Sequence, residues 1–450
     1  MTQKLFGTDG IRGVANTFPL TIDFCTKLAT TLAQDVCLNK KQVAIARDTR
    51  ISGTMLFSAL VAGFTAQGIN VIDLGIIPTP LCTTLTPQLN VDMSIMITAS
   101  HNPYQDNGLK LITADGDKFS DEQSRKIEQK LELNHDITYS PEKIGKIIPW
   151  NNNGLEHYLH ISSQIVPPNA LKKLKIVLDS ANGVFSYIMP EVFKYLGAEV
   201  ISLAASPDGY NINADCGSQH TEKLAQTVIE NGYNLGIAVD GDGDRIIICD
   251  ENGKRLDGDQ IIAYLATYML QNNLLPSKAV VATIYSNLGL GKYISSLGLN
   301  YYTTAVGERY VIEKMRDVQA NLGGEESGHM VLSDYTRTGD ALITALIICA
   351  GIARQNRQLS KIFPVFTPFP CESHNLRFDS KEAATQIMQS EALQSCVSQI
   401  SQQLDGHGRI IVRPSGTEPV IRLKIEDENS QTAHQAAEKI LTCIKNLTAS

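Results

Sequence analysis

Four short stretches carry the residue types from which a phosphate chemistry could be built: TASHNP (98–103), DGDGDR (240–245), GGEESGH (323–329) and RPSGTEP (413–419). Ser100 follows an apolar run, Met93 to Ile97, that reads as a buried strand. Pro103 favours a turn there and biases Asn102 away from helix. A hydroxyl therefore stands at a strand end, where open α/β sheets bind ligands. Taken alone, such a serine is more often a turn residue bonded to its own backbone. In DGDGDR, three carboxylates stand two apart between apolar runs. In an extended segment that spacing points Asp240, Asp242 and Asp244 to one side. Like charges so close call for a cation, and all-oxygen ligands select Mg²⁺, Mn²⁺ or Ca²⁺. A solvated acidic turn is the bland alternative, and it fits poorly between two buried-looking strands. A calcium hand is excluded, because Arg245 occupies the sixth position, where that loop needs glycine, and strands flank it. Three carboxylates leave an octahedral shell short, so an oxygen on Ser100, or a phosphate there, would complete it.

RPSGTEP offers Arg413, the hydroxyls of Ser415 and Thr417, and Gly416, which lets backbone N–H groups approach an oxyanion; Arg422 lies just beyond. The same stretch also reads as a plain hairpin turn. GGEESGH carries Glu325, Glu326, Ser327 and His329 on glycine-rich backbone. Paired carboxylates suit adjacent sugar hydroxyls, although a solvated loop explains them nearly as well. FGTDGIRG (6–13), with Arg12, is either a phosphate-facing loop or a tight entry into the first strand. A hydroxyl, a carboxylate cluster, a hydroxyl-reading loop and an anion cradle together describe phosphoryl transfer on a sugar.

These stretches must be positioned by a large scaffold. At 450 residues the chain exceeds one ordinary core, so three or four domains are expected. Strand and helix signals alternate three times, which argues for α/β units. A polar stretch at 134–154 reads as a boundary, and 363–370, with three prolines, reads as a linker. Beyond it, a strand, one long helix to about Leu404, two strands and a final helix suggest a small α+β domain. The net charge of −8 and the absence of basic blocks argue against nucleic acid or a membrane surface. The N-terminus lacks a signal-like apolar core, and the apolar run 341–353 is too short to span a bilayer. Nine scattered cysteines without a C-x-x-C pair indicate neither disulfides nor zinc. A reduced, cytoplasmic, soluble protein is expected.

Together with NADCGSQH (213–220) and AVGERYV (305–311), these stretches resemble the α-D-phosphohexomutase superfamily over nearly the whole chain. TASHNP, DGDGDR and RPSGTEP are shared across it. FGTDGIRG, NADCGSQH, AVGERYV and GGEESGH resemble the branch that interconverts glucosamine 6-phosphate and glucosamine 1-phosphate, on the way to UDP-N-acetylglucosamine and peptidoglycan. Gln219, Glu308 and Glu326 depart from that branch, where threonine, aspartate and glutamine are usual. The resemblance implies a multidomain α/β protein. Three similar α/β domains with mixed sheets (1–150, 151–255, 256–368) would precede a smaller, mobile α+β C-terminal domain (369–450), around a central cleft.

It further implies that Ser100 is a phosphoserine and a metal ligand, and that Asp240, Asp242 and Asp244 hold one Mg²⁺. Glu325 and Ser327 would read sugar hydroxyls, and Arg413, Ser415, Gly416, Thr417 and Arg422 would grip the phosphate not being transferred. Lys110 and His329 would move protons, and Arg12 and Arg245 would be active-site arginines. Glucosamine 1,6-bisphosphate would be intermediate and primer. The implied partners are a phosphosugar, an activating kinase or autophosphorylation at Ser100, and a second copy in a homodimer, with no nucleic acid and no membrane. A phosphomannomutase or phosphoglucomutase is the alternative within the superfamily. A metal-dependent phosphatase and a non-catalytic Ca²⁺ module are alternatives from other classes. Cys216, inside NADCGSQH, has no assigned role.

Overall fold

The computed structural model describes residues 5–7, 9–132, 140–152, 154–355, 357–404, 406–414 and 419–449. The first sheet contains β1 (Phe6–Gly7), β2 (Gly10–Val14), β3 (Gln42–Arg47), β4 (Asn70–Ile76), β5 (Met93–Ile97), β6 (Asp106–Thr113) and β7 (Ile147–Pro149), in the order β1-β2-β6-β5-β3-β4-β7. The second contains β8 (Lys175–Asp179), β9 (Glu199–Leu203), β10 (Leu235–Val239), β11 (Ile246–Asp250) and β12 (Arg255–Leu256), in the order β12-β11-β10-β8-β9. The third contains β13 (Ala279–Thr283), β14 (Asn300–Thr304), β15 (Leu322–Gly324) and β16 (Met330–Leu332), in the order β14-β13-β15-β16.

All three sheets share one plan. Parallel pairing at the centre (β3 with β4 and β5, β8 with β9 and β10, β13 with β14 and β15) passes to antiparallel pairing at β5–β6, β10–β11 and β15–β16. Strands β5, β10 and β11 are buried at every position, which is why they read as unbroken apolar runs. Each parallel-to-antiparallel hairpin turns through one of the chemical stretches: TASHNP after β5, DGDGDR after β10, and GGEESGH from the last two residues of β15 onward. The repeat is therefore one of topology, with one loop from each sheet at the corresponding place.

By compactness the chain divides into two units, 1–285 with 298–365, and 286–297 with 366–450. The three sheets lie in the first. The second holds an antiparallel sheet of β17 (Cys371–Arg377), β18 (Gly408–Pro414) and β19 (Val420–Asp427), in the order β17-β19-β18, backed by helices. Its core includes Leu393, Ile400, Leu423, Ile425 and Ile440. RPSGTEP links β18 to β19, again an antiparallel hairpin. The helix Leu288–Ser296 clusters with this unit.

Two local features differ from expectation. The boundary stretch at 134–154, of which 134–139 and 153 lie outside the described residues, carries an unexpected strand, β7, which pairs with β4 at the edge of the first sheet. The single long helix before Leu404 is two, Lys381–Gln389 and Glu391–Leu404. They are broken at Ser390, whose backbone is extended (φ −66°, ψ 133°). Its hydroxyl donates to Ile387 O and accepts from Leu393 N, closing one helix and capping the next. Helix Ile22–Asp35 lies outside the elements expected from the sequence. Among the described residues, no helix is long and apolar enough to cross a membrane, and all nine cysteines are free thiols.

Candidate active site

Ser100 is 1% exposed, and its Oγ donates to Asp240 Oδ2 at 2.7 Å, joining the hairpin of the first sheet to that of the second. Its φ of +54° places a side-chain-bearing residue in the left-handed region, at a cost of about 1–3 kcal/mol unless the surroundings over-determine it. They do: Ser100 N donates to Thr98 Oγ1 at 2.9 Å, and the Ser100 carbonyl accepts from Arg50 and Asn213.

Asp240, Asp242 and Asp244 are all buried and each brings one carboxylate oxygen within 4.8 Å of the others. The mechanism of convergence differs from the expected extended alternation. The segment turns, with Gly243 at φ +79°, where a Cβ would meet Phe185 Cε2 at 2.4 Å. The amides of Asp244 and Arg245 fold back on Asp240 Oδ1. Thr79 Oγ1 donates to Asp242 Oδ2 at 2.5 Å, and Lys110 Nζ lies 2.8 Å from Asp242, 3.2 Å from Asp244 and 3.3 Å from Asp9. Asp242 Oδ1 and Asp244 Oδ1 are buried with no hydrogen-bond partner among the described residues. Buried, orphaned carboxylate oxygens are costly unless they coordinate a cation, so the triad fits a hard divalent metal ion.

Electrostatics tie the cluster together. Burial, reinforced by Asp244 and Asp242, pushes the Asp240 carboxyl well above the usual range. For Asp244 burial acts in the same direction, but Lys110, His329 and Arg245 outweigh it and hold the group well below. Burial opposes the Lys110 charge, and Asp242, Asp9 and Asp244 overcome that, raising it well above an ordinary ammonium. His101, whose Nδ1 is 3.4 Å from Ser100 Oγ, is pushed down to about 4 by burial and by Arg245 and Arg12.

GGEESGH proves to be an ordered hairpin rather than a solvated loop. Glu325 and His329 are buried, Ser327 is exposed, and Arg245 bridges to His329 across the second and third sheets. Glu325 Oε1 accepts Gly307 N at 3.0 Å. His329 Nε2 is 3.3 Å from Glu308 and 3.6 Å from Asp244. Burial disfavours the imidazolium, yet Glu308, Asp244 and Glu325 raise His329 to about 9. Both shifts favour the charged form of His329 and of Lys110. Among the described residues, buried Arg245 Nε and His329 Nδ1 have no hydrogen-bond partner. Arg12 donates to Ala99 O and to Asp9.

In the C-terminal unit, Arg413 and Arg422 are directly paired across β18 and β19. Ser415, Gly416 and Thr417 lie outside the described residues.

Family models for phosphoglucomutase/phosphomannomutase match the chain in four parts: alpha/beta/alpha domain I at 3–136, domain II at 156–253, domain III at 257–369 and the C-terminal domain at 375–442. A phosphoglucosamine mutase of Paramagnetospirillum magneticum is 40% identical over 449 residues, covering 99% of each chain. One from Zymomonas mobilis is 40% identical over 448 residues, again covering 99% of each. The chain belongs to the phosphoglucosamine mutases. The fold agrees with a phosphoglucomutase/phosphomannomutase family protein from Burkholderia thailandensis, at a TM-score of 0.82 and 22% identity over 99% of this chain and 98% of that one.

Several residues escape sequence reasoning. Asp9 receives Arg12, Lys110 and Lys118. Lys118 also bonds Glu308, which accepts from Thr338 and from Gly339 N. Asp48, Arg50 and Asn213 hold the Ser100 loop. A signal existed for Asp48 and Arg50, since RDTR sits at the end of the apolar strand β3 just as TASHNP follows β5. Asp9 lies in FGTDGIRG and its pair with Arg12 is local, but its lysine partners come from β6 and the turn after it. Lys118 has no local signal, because its partners lie in other elements.

Proposed function

We propose that this protein is an isomerase that interconverts glucosamine 6-phosphate and glucosamine 1-phosphate, supplying precursors of UDP-N-acetylglucosamine and peptidoglycan. The observation that carries this is the contact of Ser100 Oγ with a buried aspartate triad whose orphaned oxygens fit a cation, in a chain of this family. Phospho-Ser100 gives its phosphoryl group to the sugar phosphate, forming a 1,6-bisphosphate. The bisphosphate turns over in place, and its other phosphate returns to Ser100. A bisphosphate, an activating kinase or autophosphorylation primes Ser100.

Asp240, Asp242 and Asp244 would hold Mg²⁺, with an oxygen at Ser100 completing the shell; when bound, the ion neutralises charge on the transferring oxygens. Arg12 and Arg245 add positive charge beside Ser100. Lys110 or His329 gives one proton to Ser100 Oγ as the phosphoryl group leaves and takes up the one proton that the attacking hydroxyl releases. Glu325 and Ser327 read sugar hydroxyls. Arg413, Ser415, Gly416, Thr417 and Arg422 hold the phosphate that is not moving, and one cradle that accepts either end of the sugar is what a mutase needs. Fixed positions and preorganised charge supply most of the acceleration.

The test is turnover of bisphosphate-primed protein with Mg²⁺ on glucosamine 6-phosphate, glucose 1-phosphate and mannose 1-phosphate. The amino sugar should have the highest kcat/KM, and Ser100→Ala should be inactive. A preference for glucose or mannose would move the protein to the phosphoglucomutase/phosphomannomutase reading, and net phosphate release would indicate a phosphatase.

A further inference from the structure

Arg50 is 3% exposed, and all five of its guanidinium N–H groups are spent inside the protein. Nε donates to Asp48 Oδ2 at 2.9 Å. Nη1 donates to the carbonyls of Asp106, at 3.0 Å, and Pro103. Nη2 donates to the carbonyls of Ser100, at 2.9 Å, and Asn102, at 2.8 Å. Asp48 in turn accepts from Arg50 N and from Thr98 Oγ1, at 2.6 Å, and Thr98 Oγ1 accepts from Ser100 N. From the second sheet, Asn213 Nδ2 reaches the same two carbonyls, Ser100 and Asn102, at 2.9 and 3.0 Å. No donor of Arg50 is left for a substrate.

We propose that Arg50 is a positioning residue for phosphoryl transfer, acting through the Ser100 loop; the inference rests on the function proposed above. A tight loop that carries a phosphoserine has peptide carbonyls close to the phosphoryl oxygens, and their negative ends oppose it. Arg50 collects four of those carbonyls on one side and fixes the left-handed backbone of Ser100, so that Oγ meets the aspartate triad. The planar, five-donor fork is required, because a lysine ammonium offers three donors from a single point. Asp48 orients the fork and, through Thr98, sets the Ser100 amide.

Two variants test this with primed protein and Mg²⁺, each checked for folding by circular dichroism and melting. Arg50→Lys should lower kcat on the order of 100-fold, the cost of a misplaced reacting group, with KM within about threefold. Thr98→Val keeps all five Arg50 bonds but removes the hydroxyl between Asp48 and Ser100 N. It should lower kcat about tenfold, one hydrogen bond's worth, again at near-constant KM. In both, the ³¹P resonance of phospho-Ser100 should shift or broaden. A folded Arg50→Lys protein with kcat within twofold of the parent would overturn the proposal. If Arg50→Lys does not fold, Thr98→Val decides: unchanged kcat and an unchanged ³¹P resonance would also overturn it. A parent protein that neither takes phosphate on Ser100 nor turns over would refute the proposed function instead, and is read from the unsubstituted chain.

Discussion

Glu308→Gln should lower the protonation midpoint of His329 from about 9 to the ordinary imidazole range or below. The imidazole is buried, and burial alone would favour the neutral ring. The rise from 6.5 to about 9 corresponds to roughly 3 kcal/mol of net preference for the charged form. Glu308 lies 3.3 Å away. At an effective dielectric of about 20, a unit charge at that separation contributes on the order of 5 kcal/mol. That exceeds the whole net preference, whereas Asp244 at 3.6 Å is shared with Lys110 and Arg245, and Glu325 is 4.0 Å away. Removing the Glu308 charge should therefore let burial win. The assay is a titration of imidazole Cε1–H signals by NMR in metal-free protein, with His329→Gln assigning the signal among nine histidines. Stability offers a second readout. A raised histidine contributes stability that is fully present below about 6.5 and lost as pH rises through about 9. The parent should weaken across that window, and the variant should lose most of that slope. Mg²⁺ added to the parent should also lower the midpoint, because it neutralises Asp244. A midpoint still near 9 in Glu308→Gln would refute the reasoning and leave Asp244 and Glu325 as the groups that hold the proton.

Mg²⁺ at about 100 times its Kd should stabilise the parent by roughly 2.7 kcal/mol; Asp242→Asn should lose most of this gain in a thermal melt, and an equal gain would remove Asp242 from the site. Gly243→Ala combines a left-handed backbone with a Cβ pressed on Phe185, so chemical denaturation should show a loss of roughly 2–4 kcal/mol. Asp340 is pushed up to about 7, chiefly by burial, although it accepts from Leu342 N, Ile343 N and Tyr158. The folded state then holds a proton that the unfolded state has lost between 3.8 and about 7, so stability falls as pH rises through that window. Asp340→Asn keeps an acceptor for both amides and should gain on the order of 4 kcal/mol at pH 8 and nothing at pH 4; denaturation series at the two pH values would show it.

Residue type and spacing alone were enough to single out Ser100, the three aspartates and His329, which the structure brings together, because chemistry that needs a hydroxyl and a cation site concentrates unusual groups within a few residues. The alternation of elements was equally legible, since strands buried on both faces must be apolar over their whole length, as β5, β10 and β11 are. Local reasoning failed where a single hydroxyl outranked helix periodicity, as at Ser390, and where a polar stretch supplied the edge strand β7. It also gave the wrong geometry for the aspartates, which converge through a glycine turn and not through an extended strand.

Tertiary structure alone decided which of these groups meet. Asp240 lies 140 residues from Ser100, Lys110 lies 132 from Asp242, and Lys118 lies 190 from Glu308. No local pattern encodes such pairs, because their proximity comes from three sheets that each present a loop at the same parallel-to-antiparallel step. Protonation was decided there too. A histidine has its ordinary affinity for protons until its surroundings change it, and the carboxylates of Glu308, Asp244 and Glu325 overcome burial to favour the charged form of His329.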